Sequence, residues 1–272
     1  MSAAPDRARL FAAVDGTWPA AAMIEAGPWT LREGRGGGKR VSAASLRGAW
    51  HEDDIAAAEK AMRLLGQEPL FMIRPDADGA QGALDTALDA ALQARGYQVV
   101  DPVHIRLCPL AALTDRALPP VTAFTIWEPL EIMYEIWQQG GIGPARFAVM
   151  ERVRGPRTAV FGRLTDQPAA VGFAAVHDGI AMVHALEVLP AHRGKGLGRW
   201  MMRAAALWAA GAGAEWMAVL CTRQNVAANA LYAGLGMAVV GDYHYRMPGT
   251  AAPAQTSGAL PGTEEPGEGA PR

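Results

Sequence analysis

The stretch that most constrains the fold of this chain spans residues 185–200 and reads ALEVLPAHRGKGLGRW. Its apolar first part is typical of a buried strand that ends at Pro190, and a helix is predicted to begin near Arg199. The three glycines between them let backbone N–H groups approach a ligand closely. A helix start adds unpaired N–H donors and partial positive charge, and Arg193, Lys195 and Arg199 add full charges. The segment therefore predicts a site for a diphosphate.

The order of these residues excludes two common phosphate loops. A Walker loop needs Ser or Thr after its lysine, but Lys195 is followed by Gly196. A dinucleotide fingerprint needs G-x-G-x-x-G and an acidic residue about 20 positions on, and the glycines here run G-x-G-x-G. What remains is Arg193-x-x-Gly196-x-Gly198, which resembles the coenzyme A pyrophosphate loop of the GNAT (GCN5-related N-acetyltransferase) superfamily. The alternative is a glycine-rich turn that binds nothing, and it would crowd three basic residues together without a counter-ion.

A second motif follows about 30 residues later and reads NVAANALYAGLG over 225–236. Asn225 is a good helix N-cap, and the helical spacing places Asn229 and Tyr232 on the same face as Asn225. Each Asn alone is as compatible with a cap or a solvated amide. These three polar residues on one helix face resemble the GNAT motif in which the Asn contacts the pantetheine arm and the Tyr protonates the leaving thiolate.

The resemblance covers residues 121–247 and implies an α/β (α+β) fold of the GNAT type, a mixed, mostly antiparallel twisted sheet flanked by helices. It implies acetyl-CoA as co-substrate, and we predict no metal site. The residues expected to bind the cofactor are Val188, Leu189, Arg193, Gly194, Lys195, Gly196, Leu197, Gly198, Arg199, Asn225 and Asn229.

For the chemistry, an amine is protonated at neutral pH, so attack on a thioester needs a route for its proton. In relatives a Glu near the position of Glu187 acts through water, and partial burial is expected to raise the pKa of that carboxyl. The alternative for Glu187 is a structural pair with an arginine. His184 is the second candidate base, although strand alternation places it on the opposite face unless the strand carries a bulge.

The sequence also contains candidate groups for protonation of the leaving thiolate and for stabilisation of the oxyanion. Tyr232 is expected to protonate the thiolate, and the resemblance implies a backbone N–H at Val188 or Leu189 as the oxyanion donor. Pro190 lacks an N–H and ends the strand pairing, which leaves the strand end free to splay. Cys221 lies in an apolar strand that would keep its thiol protonated, so direct transfer without a covalent enzyme intermediate is expected.

Composition excludes several classes of protein. The 272-residue chain is 50% hydrophobic and 19% charged, with a net charge of −2. A sizeable core is therefore expected, and neither nucleic acid nor a membrane is an expected partner. Two distant cysteines, Cys108 and Cys221, predict buried thiols in a reducing compartment. The N-terminus does not resemble a signal peptide, so a cytoplasmic monomer or homodimer is expected.

The chain also repeats itself. A shift of 140 residues superimposes five identical residues of 96–106 on 236–246, with a helix and a strand before each. We predict a degenerate GNAT-like domain at 1–110, a linker at 111–120, the catalytic GNAT domain at 121–247 and a disordered tail at 248–272. The first copy has HEDD at 51–54 where the second has the glycine loop, and these carboxylates would repel a phosphate. It also has Leu92 in place of Tyr232. The first half is therefore expected to be non-catalytic and to wall the substrate entrance.

The patterning predicts the remaining elements. The glycine cluster at 34–38 contains Arg35 and is followed by Lys39, but a strand follows it, which favours a hairpin turn over a phosphate loop. Helices are predicted at 6–16, 52–65, 84–95, 129–139, 199–210 and 226–234. Strands are predicted at 29–33, 39–46, 68–74, 97–107, 121–127, 146–153, 158–164, 169–177, 180–189, 216–222 and 237–247.

These features predict an acetyl-CoA-dependent N-acetyltransferase that acts on a small amine or an amino-acid-like molecule. The alternative is a non-catalytic acyl-CoA sensor, which the presence of both Glu187 and Tyr232 disfavours. An acidic substrate could use Arg146 or Arg246. Candidate wall residues of the substrate site are Trp127, Arg146, His184, Tyr243 and Tyr245, although aromatic residues in strands are more often core.

Overall fold

The computed structural model describes residues 3–75 and 79–249. Within these ranges the chain folds as one eleven-stranded sheet with seven α-helices. The strands are β1 (Ala22–Ala26), β2 (Trp29–Glu33), β3 (Ala44–Leu46), β4 (Phe71–Ile73), β5 (Tyr97–Pro109), β6 (Ala123–Ile126), β7 (Arg157–Leu164), β8 (Gln167–His177), β9 (Ile180–Val188), β10 (Trp216–Thr222) and β11 (Ala238–Pro248). The helices are α1 (Arg7–Thr17), α2 (Glu52–Leu64), α3 (Ala80–Ala94), α4 (Glu131–Gln139), α5 (Pro144–Glu151), α6 (Leu197–Gly211) and α7 (Val226–Ala233).

The sheet runs in the order β1-β2-β3-β4-β11-β5-β10-β9-β8-β7-β6. Most neighbours are antiparallel, and only the pairs β3–β4 and β9–β10 are parallel. This is the mixed, mostly antiparallel α/β architecture that the sequence predicts, with helices packed against both faces.

The two central strands are exchanged between the halves of the chain. β5, from the first half, pairs with β10, and β11, from the second half, pairs with β4. β5 and β11 also pair with each other along most of their length. Each half therefore depends on the other half's last strand to complete its part of the sheet.

Strands β9 and β10 separate part of the way along. They pair only over residues 180–183 and 216–219. Beyond these residues β9 continues to Val188 and β10 to Thr222, but the two strands no longer pair with each other. Because β10 stays paired with β5 through Thr222, it is β9 that turns away. We call the resulting gap the split; it has one opening on each face of the sheet.

Apolar helix faces cover the two sides of the sheet at this point. On one side α6 packs its buried residues, among them Leu197, Met201 and Ala205, against the strands. On the other side α4 and α5 contribute Trp137 and Phe147, which pack with Phe173 of β8. The split thus lies between two packed layers rather than at a free edge of the sheet.

Several predicted elements differ from the structure. Residues 146–153 do not form a strand: most of them belong to α5, which begins with Pro144 at its first turn. Residues 39–46 are not a continuous strand but a 3₁₀ turn, Lys39–Val41, followed by the short β3. The glycine cluster at 34–38 thus leads into this turn, and β1, which the sequence does not predict, pairs with β2. The predicted tail beyond Gly249 lies outside the described residues.

Candidate active site

The first cavity of the site lies on the α6 side of the split and has a volume of about 590 Å³. It is bounded by the end of β9, the glycine loop, the start of α6 and one face of α7. Its lining residues are Leu186, Glu187, Val188, His192, Arg193, Gly194, Gly196, Leu197, Gly198, Arg199, Asn225, Ala227, Ala228, Ala230, Leu231 and Tyr232. We call it the loop cavity.

The glycine loop has the conformation that its sequence predicts. Gly194 and Gly196 have φ values of +74° and +81°, a region that L side chains rarely adopt, and a side-chain atom placed on either would meet open space. Gly196 is the N-cap of α6 and makes no side-chain cap. The N–H of Arg199 donates to the Gly196 carbonyl at 3.1 Å, whereas those of Leu197 and Gly198 have no acceptor among the described residues. These two N–H groups lie at the positive end of the helix dipole, at this cavity.

The carboxylate of Glu187 is paired with Arg193. Arg193 Nη2 lies 2.7 Å from Glu187 Oε1, and Arg193 Nε donates to the carbonyl oxygen of Val188 at 2.8 Å. The Glu187 side chain is 19% exposed and also packs beside Gly140 at the end of α4. The structural pairing that the sequence leaves open for Glu187 is thus present, and its partner is one of the predicted cofactor residues.

A bulge in β9 brings His184 and Glu187 to the same face of the sheet. Glu187 is opposite Val171 and His184 is opposite Phe173, so one residue of β8 faces two of β9. Directly opposed residues share a face, and Val171 and Phe173 share one by alternation. Ala185 in the bulge has a φ of +50°, and its carbonyl oxygen accepts a hydrogen bond of 2.8 Å from the Trp137 indole. The expectation of opposite faces is therefore wrong, because it assumes an unbroken strand.

His184 is nevertheless poorly arranged to be a base. Thr17 Oγ1 donates to the carbonyl oxygen of Ala13, so it accepts from His184 Nε2, 2.9 Å away. That tautomer leaves His184 Nδ1 as an acceptor, and Arg40 Nη1 donates to it at 3.0 Å. Burial, with a smaller contribution from the charge of Arg40, holds the pKa of His184 well below its usual range. The imidazole is thus neutral, and its one basic nitrogen is engaged.

Tyr232 is the buried residue of α7 and lines the loop cavity. Burial raises the pKa of its phenol, and the neighbouring Cys221 thiol adds to the effect. No described residue hydrogen-bonds the hydroxyl. The group therefore keeps its proton and has it available for a partner in the cavity.

The two asparagines of the α7 motif have different surroundings. Asn225 caps α7 by accepting from the N–H of Ala228 at 3.0 Å and lines the loop cavity. Asn229 instead donates to the carbonyl oxygens of Thr222 and Asn225, and its own oxygen accepts from Arg106. It does not line the cavity, and neither do Leu189 and Lys195.

The backbone at the end of β9 distinguishes the two candidate oxyanion donors. The N–H of Leu189 donates to the carbonyl oxygen of Ala169 at 2.9 Å and is therefore used by the sheet. N–H groups alternate between the two edges of a strand. The N–H of Val188 therefore points away from β8 and towards the split.

A second cavity, of about 290 Å³, lies at the same split on the face that carries His184. We call it the inter-half cavity because both halves of the chain line it. Its lining residues are Trp18, Gly37, Gly38, Lys39, Arg40, Asp101, Val103, Ile142, Arg146, His184, Ala185, Leu220, Thr222, Tyr243 and Tyr245. Four of the five residues predicted to wall a substrate site are present here; Trp127 is not, and packs on Phe173 instead.

The sequence reasoning missed the contribution of the first half to this cavity. Residues 37–38 belong to the glycine cluster that is predicted as a hairpin turn, and residues 39–40 to a predicted strand. Nothing in their local pattern indicates that they contact β9. Arg246, the other arginine suggested for an acidic substrate, is 5% exposed and pairs with Asp89 at 2.7 Å. It does not line either cavity.

Both cysteines are buried and free. Burial raises the pKa of Cys108 to about 11 and raises the pKa of Cys221 as well. Across residues 3–75 and 79–249, no cluster of three or more His, Cys, Asp or Glu side chains could hold a metal ion. In the same ranges, no helix combines the length and the apolar character that a membrane crossing needs.

Comparison with known proteins identifies the family. Residues 126–237 match the model of the acetyltransferase (GNAT) family. The chain is 29% identical over 239 residues to an uncharacterized N-acetyltransferase, YobR, from Bacillus subtilis, a match that covers 85% of this chain and 94% of the relative.

Solved structures share the fold. A GCN5-related N-acetyltransferase from Kribbella flavida is 19% identical and has a TM-score of 0.68, with 91% of this chain and 98% of that chain covered. A tandem GNAT protein from the clavulanic acid biosynthesis pathway is 17% identical and has a TM-score of 0.55, with 77% and 76% covered. The chain thus contains a GNAT-family acetyltransferase domain at residues 126–237, and its similarity to an N-acetyltransferase extends over most of its length.

Proposed function

We propose that this enzyme transfers the acetyl group of acetyl-CoA directly to the amine of a small molecule. The observation that carries the proposal is the pair of cavities at one split: the loop cavity on one face of the sheet and the inter-half cavity on the other. A thioester that enters the split from the loop cavity would meet an amine bound in the inter-half cavity. The transfer then needs no covalent enzyme intermediate.

Coenzyme binding is assigned to the loop cavity. The diphosphate would lie against the N–H groups at the start of α6, with Arg193 and Arg199 close by and no side chain at Gly194 or Gly196 to obstruct it. The pantetheine arm would pass Asn225 at the start of α7. Leu189, Lys195 and Asn229, which do not line this cavity, have no direct contact with the coenzyme in this proposal.

The proposed chemistry uses three groups around the split. The amine loses a proton through water to Glu187, whose Oε1 is held by Arg193 while Oε2 remains for the water. The amine nitrogen then forms a bond to the thioester carbon, and the N–H of Val188 stabilises the resulting oxyanion. When the C–S bond breaks, the thiolate takes the proton of Tyr232, whose raised pKa keeps that proton in place until then. The second proton of the amine nitrogen passes through water to the Tyr232 phenolate, and Glu187 releases its proton to solvent, so that both groups are restored.

The size of the inter-half cavity supports a small acceptor. Its volume of about 290 Å³ is at the lower end of small-molecule sites. The first half supplies part of its wall, which agrees with a non-catalytic role for residues 1–110. The order β1-β2-β3-β4, with two antiparallel pairs and then a parallel one, repeats in β7-β8-β9-β10 and supports a degenerate GNAT-like unit in that half.

The test is a panel of small amines incubated with acetyl-CoA and followed by release of the free thiol. We expect at least one amine to give turnover and an N-acetylated product by mass spectrometry. Binding of acetyl-CoA with no turnover across the panel would instead support the acyl-CoA sensor.

A further inference from the structure

We infer that the acceptor carries an anionic group, a carboxylate or a phosphate, which Arg40 and Arg146 bind in the inter-half cavity. This inference rests on the proposed function, because it names the chemical class of the amine. It assigns substrate selection to a residue of the first half, Arg40, together with one of the second half, Arg146.

The charges that line the cavity do not balance. Lys39 Nζ lies 2.8 Å from Asp101 Oδ2, so these two neutralise each other. His184 is neutral because burial lowers its pKa. Neither Arg40 nor Arg146 forms an ion pair with any acidic residue in the described parts of the chain. The lining therefore carries two positive charges that protein groups leave without a counter-ion.

Arg40 is held in place rather than free to reach other partners. Its Nη1 donates to His184 Nδ1, and its guanidinium lies 5.8 Å from the Trp18 ring centre, within cation–π range. Its Nε is buried and has no hydrogen-bond partner among the described residues. Thr17 fixes the other side of the imidazole. His184 is thus a positioning residue for Arg40, and a buried donor remains to be satisfied.

Arg146 lies close to Arg40 by way of the glycine-rich turn. Its Nε and Nη2 atoms are 3.7 and 3.8 Å from the point where a β-carbon on Gly38 would be, two residues before Arg40. Gly38 has a φ of +102°, which disfavours any side chain there. The guanidinium of Arg146 therefore lies against bare backbone on the cavity wall, and its planar fork suits a carboxylate or a phosphate.

The rest of the lining indicates how such an acceptor would be oriented. The aromatic rings of Trp18, Tyr243 and Tyr245 offer apolar surface. Ala185 of β9 lines the part of the cavity that is next to the split. An acceptor bound by its anionic group at the arginines would direct its amine towards the split. Small amino carboxylates and amino phosphates have this arrangement of charges.

The turnover test compares matched acceptors. Amino acids are paired with their carboxamides, and phosphoethanolamine is paired with ethanolamine. For the preferred type of anion we expect kcat/KM to be at least about tenfold higher than for its neutral partner, since an unpaired buried donor penalises the neutral analogue. Arg40→Gln and Arg146→Gln should reduce that ratio to within about threefold, with the Kd for acetyl-CoA unchanged. Arg116→Gln, which removes one exposed arginine outside both cavities, should keep the wild-type ratio.

A binding test does not depend on catalysis. Calorimetry of N-acetyl amino acids, their amides and N-acetylphosphoethanolamine, each in the presence of CoA, should show binding of the anionic compounds that Arg146→Gln weakens at least about tenfold. Arg146 is exposed, so this variant should fold even if Arg40→Gln does not.

The outcomes separate the inference from the proposed function. Anion binding that depends on Arg146, without any turnover, supports the anionic site and refutes the acetyltransferase. Equal turnover of neutral and anionic partners supports the acetyltransferase and refutes the anionic site. Absence of both turnover and anion binding refutes both.

Discussion

Glu187 Oε1 lies 2.7 Å from Arg193 Nη2, so the proposed base is joined to an arginine of the glycine loop. Arg193 is 60% exposed and also holds the carbonyl of Val188, next to the proposed oxyanion donor. The end of β9 and the loop are therefore fixed to each other by one side chain. A diphosphate bound at the loop would share Arg193 with Glu187, which couples cofactor binding to the surroundings of the base.

This pairing makes the replacement Glu187→Gln informative. The amide oxygen can still accept from Arg193, but the side chain can no longer accept the amine proton. We predict that kcat falls about 10²- to 10⁴-fold, the range for loss of an acid–base group, while the Kd for acetyl-CoA changes little. Arg193→Gln is the matched control and should mainly raise the Kd for acetyl-CoA. If Glu187→Gln instead weakens acetyl-CoA as much as Arg193→Gln does and leaves kcat intact, the residue is structural.

Tyr232→Phe removes one hydroxyl from a buried position. Because no described residue bonds that hydroxyl, the fold should lose little, whereas the leaving thiolate loses its proton donor. We predict a ten- to thousandfold decrease in turnover with nearly unchanged affinity for acetyl-CoA. Tyr97→Phe is the control for removing a buried phenol from a different core cluster; its hydroxyl donates to Glu59, and the variant should retain turnover. Full turnover by Tyr232→Phe would exclude the residue from the mechanism.

His184 should make the stability of the fold depend on pH. Its pKa is lowered in the fold, so below the usual pKa of about 6.5 the unfolded chain takes up a proton that the folded chain does not. Stability from this residue is therefore complete above that pH and is lost as the pH falls, by up to about 1.4 kcal/mol per pH unit. Arg40 is the charged neighbour that adds to the effect.

The measurement is chemical denaturation of the wild type and His184→Asn between pH 7.5 and 5. The asparagine oxygen can accept from Arg40 but cannot titrate. We predict that the difference in unfolding free energy between the two proteins shifts in favour of the variant as the pH falls. A difference that stays constant over this range would contradict a neutral, buried imidazole.

The sequence predicts local structure correctly where the residue types of a segment favour the same conformation as its tertiary packing does. The glycine loop and the start of α7 depend on special backbone conformations and caps, such as Gly196 at positive φ and the Asn225 side chain. These requirements are visible in the residue types themselves. The mixed sheet follows from the family resemblance that the two motifs support.

Two kinds of feature could not be predicted from the local sequence in this way: segments whose pattern fits both a strand and a helix, and features that depend on contacts between distant parts of the chain. Phe147 and Val149 alternate like a strand, but Phe147 and Met150 also share a helical face, and Pro144 after Gly143 starts α5. The bulge at Ala185 changes which face each residue of β9 occupies, and it depends on pairing with β8. The contact of Arg40 with His184 spans 144 positions and arises from the assembly of the two halves.

The glycine loop is tested most directly by calorimetric titration of coenzyme A into two variants, Gly196→Glu and Gly213→Glu. Both glycines have a φ of +81° and open space around them, and they lie at the two ends of α6, so the backbone strain is matched. Only Gly196→Glu places a negative charge at the proposed diphosphate site. We predict that Gly213→Glu binds coenzyme A like the wild type and that Gly196→Glu shows no binding. Normal affinity in Gly196→Glu would contradict the assignment of the coenzyme to this loop.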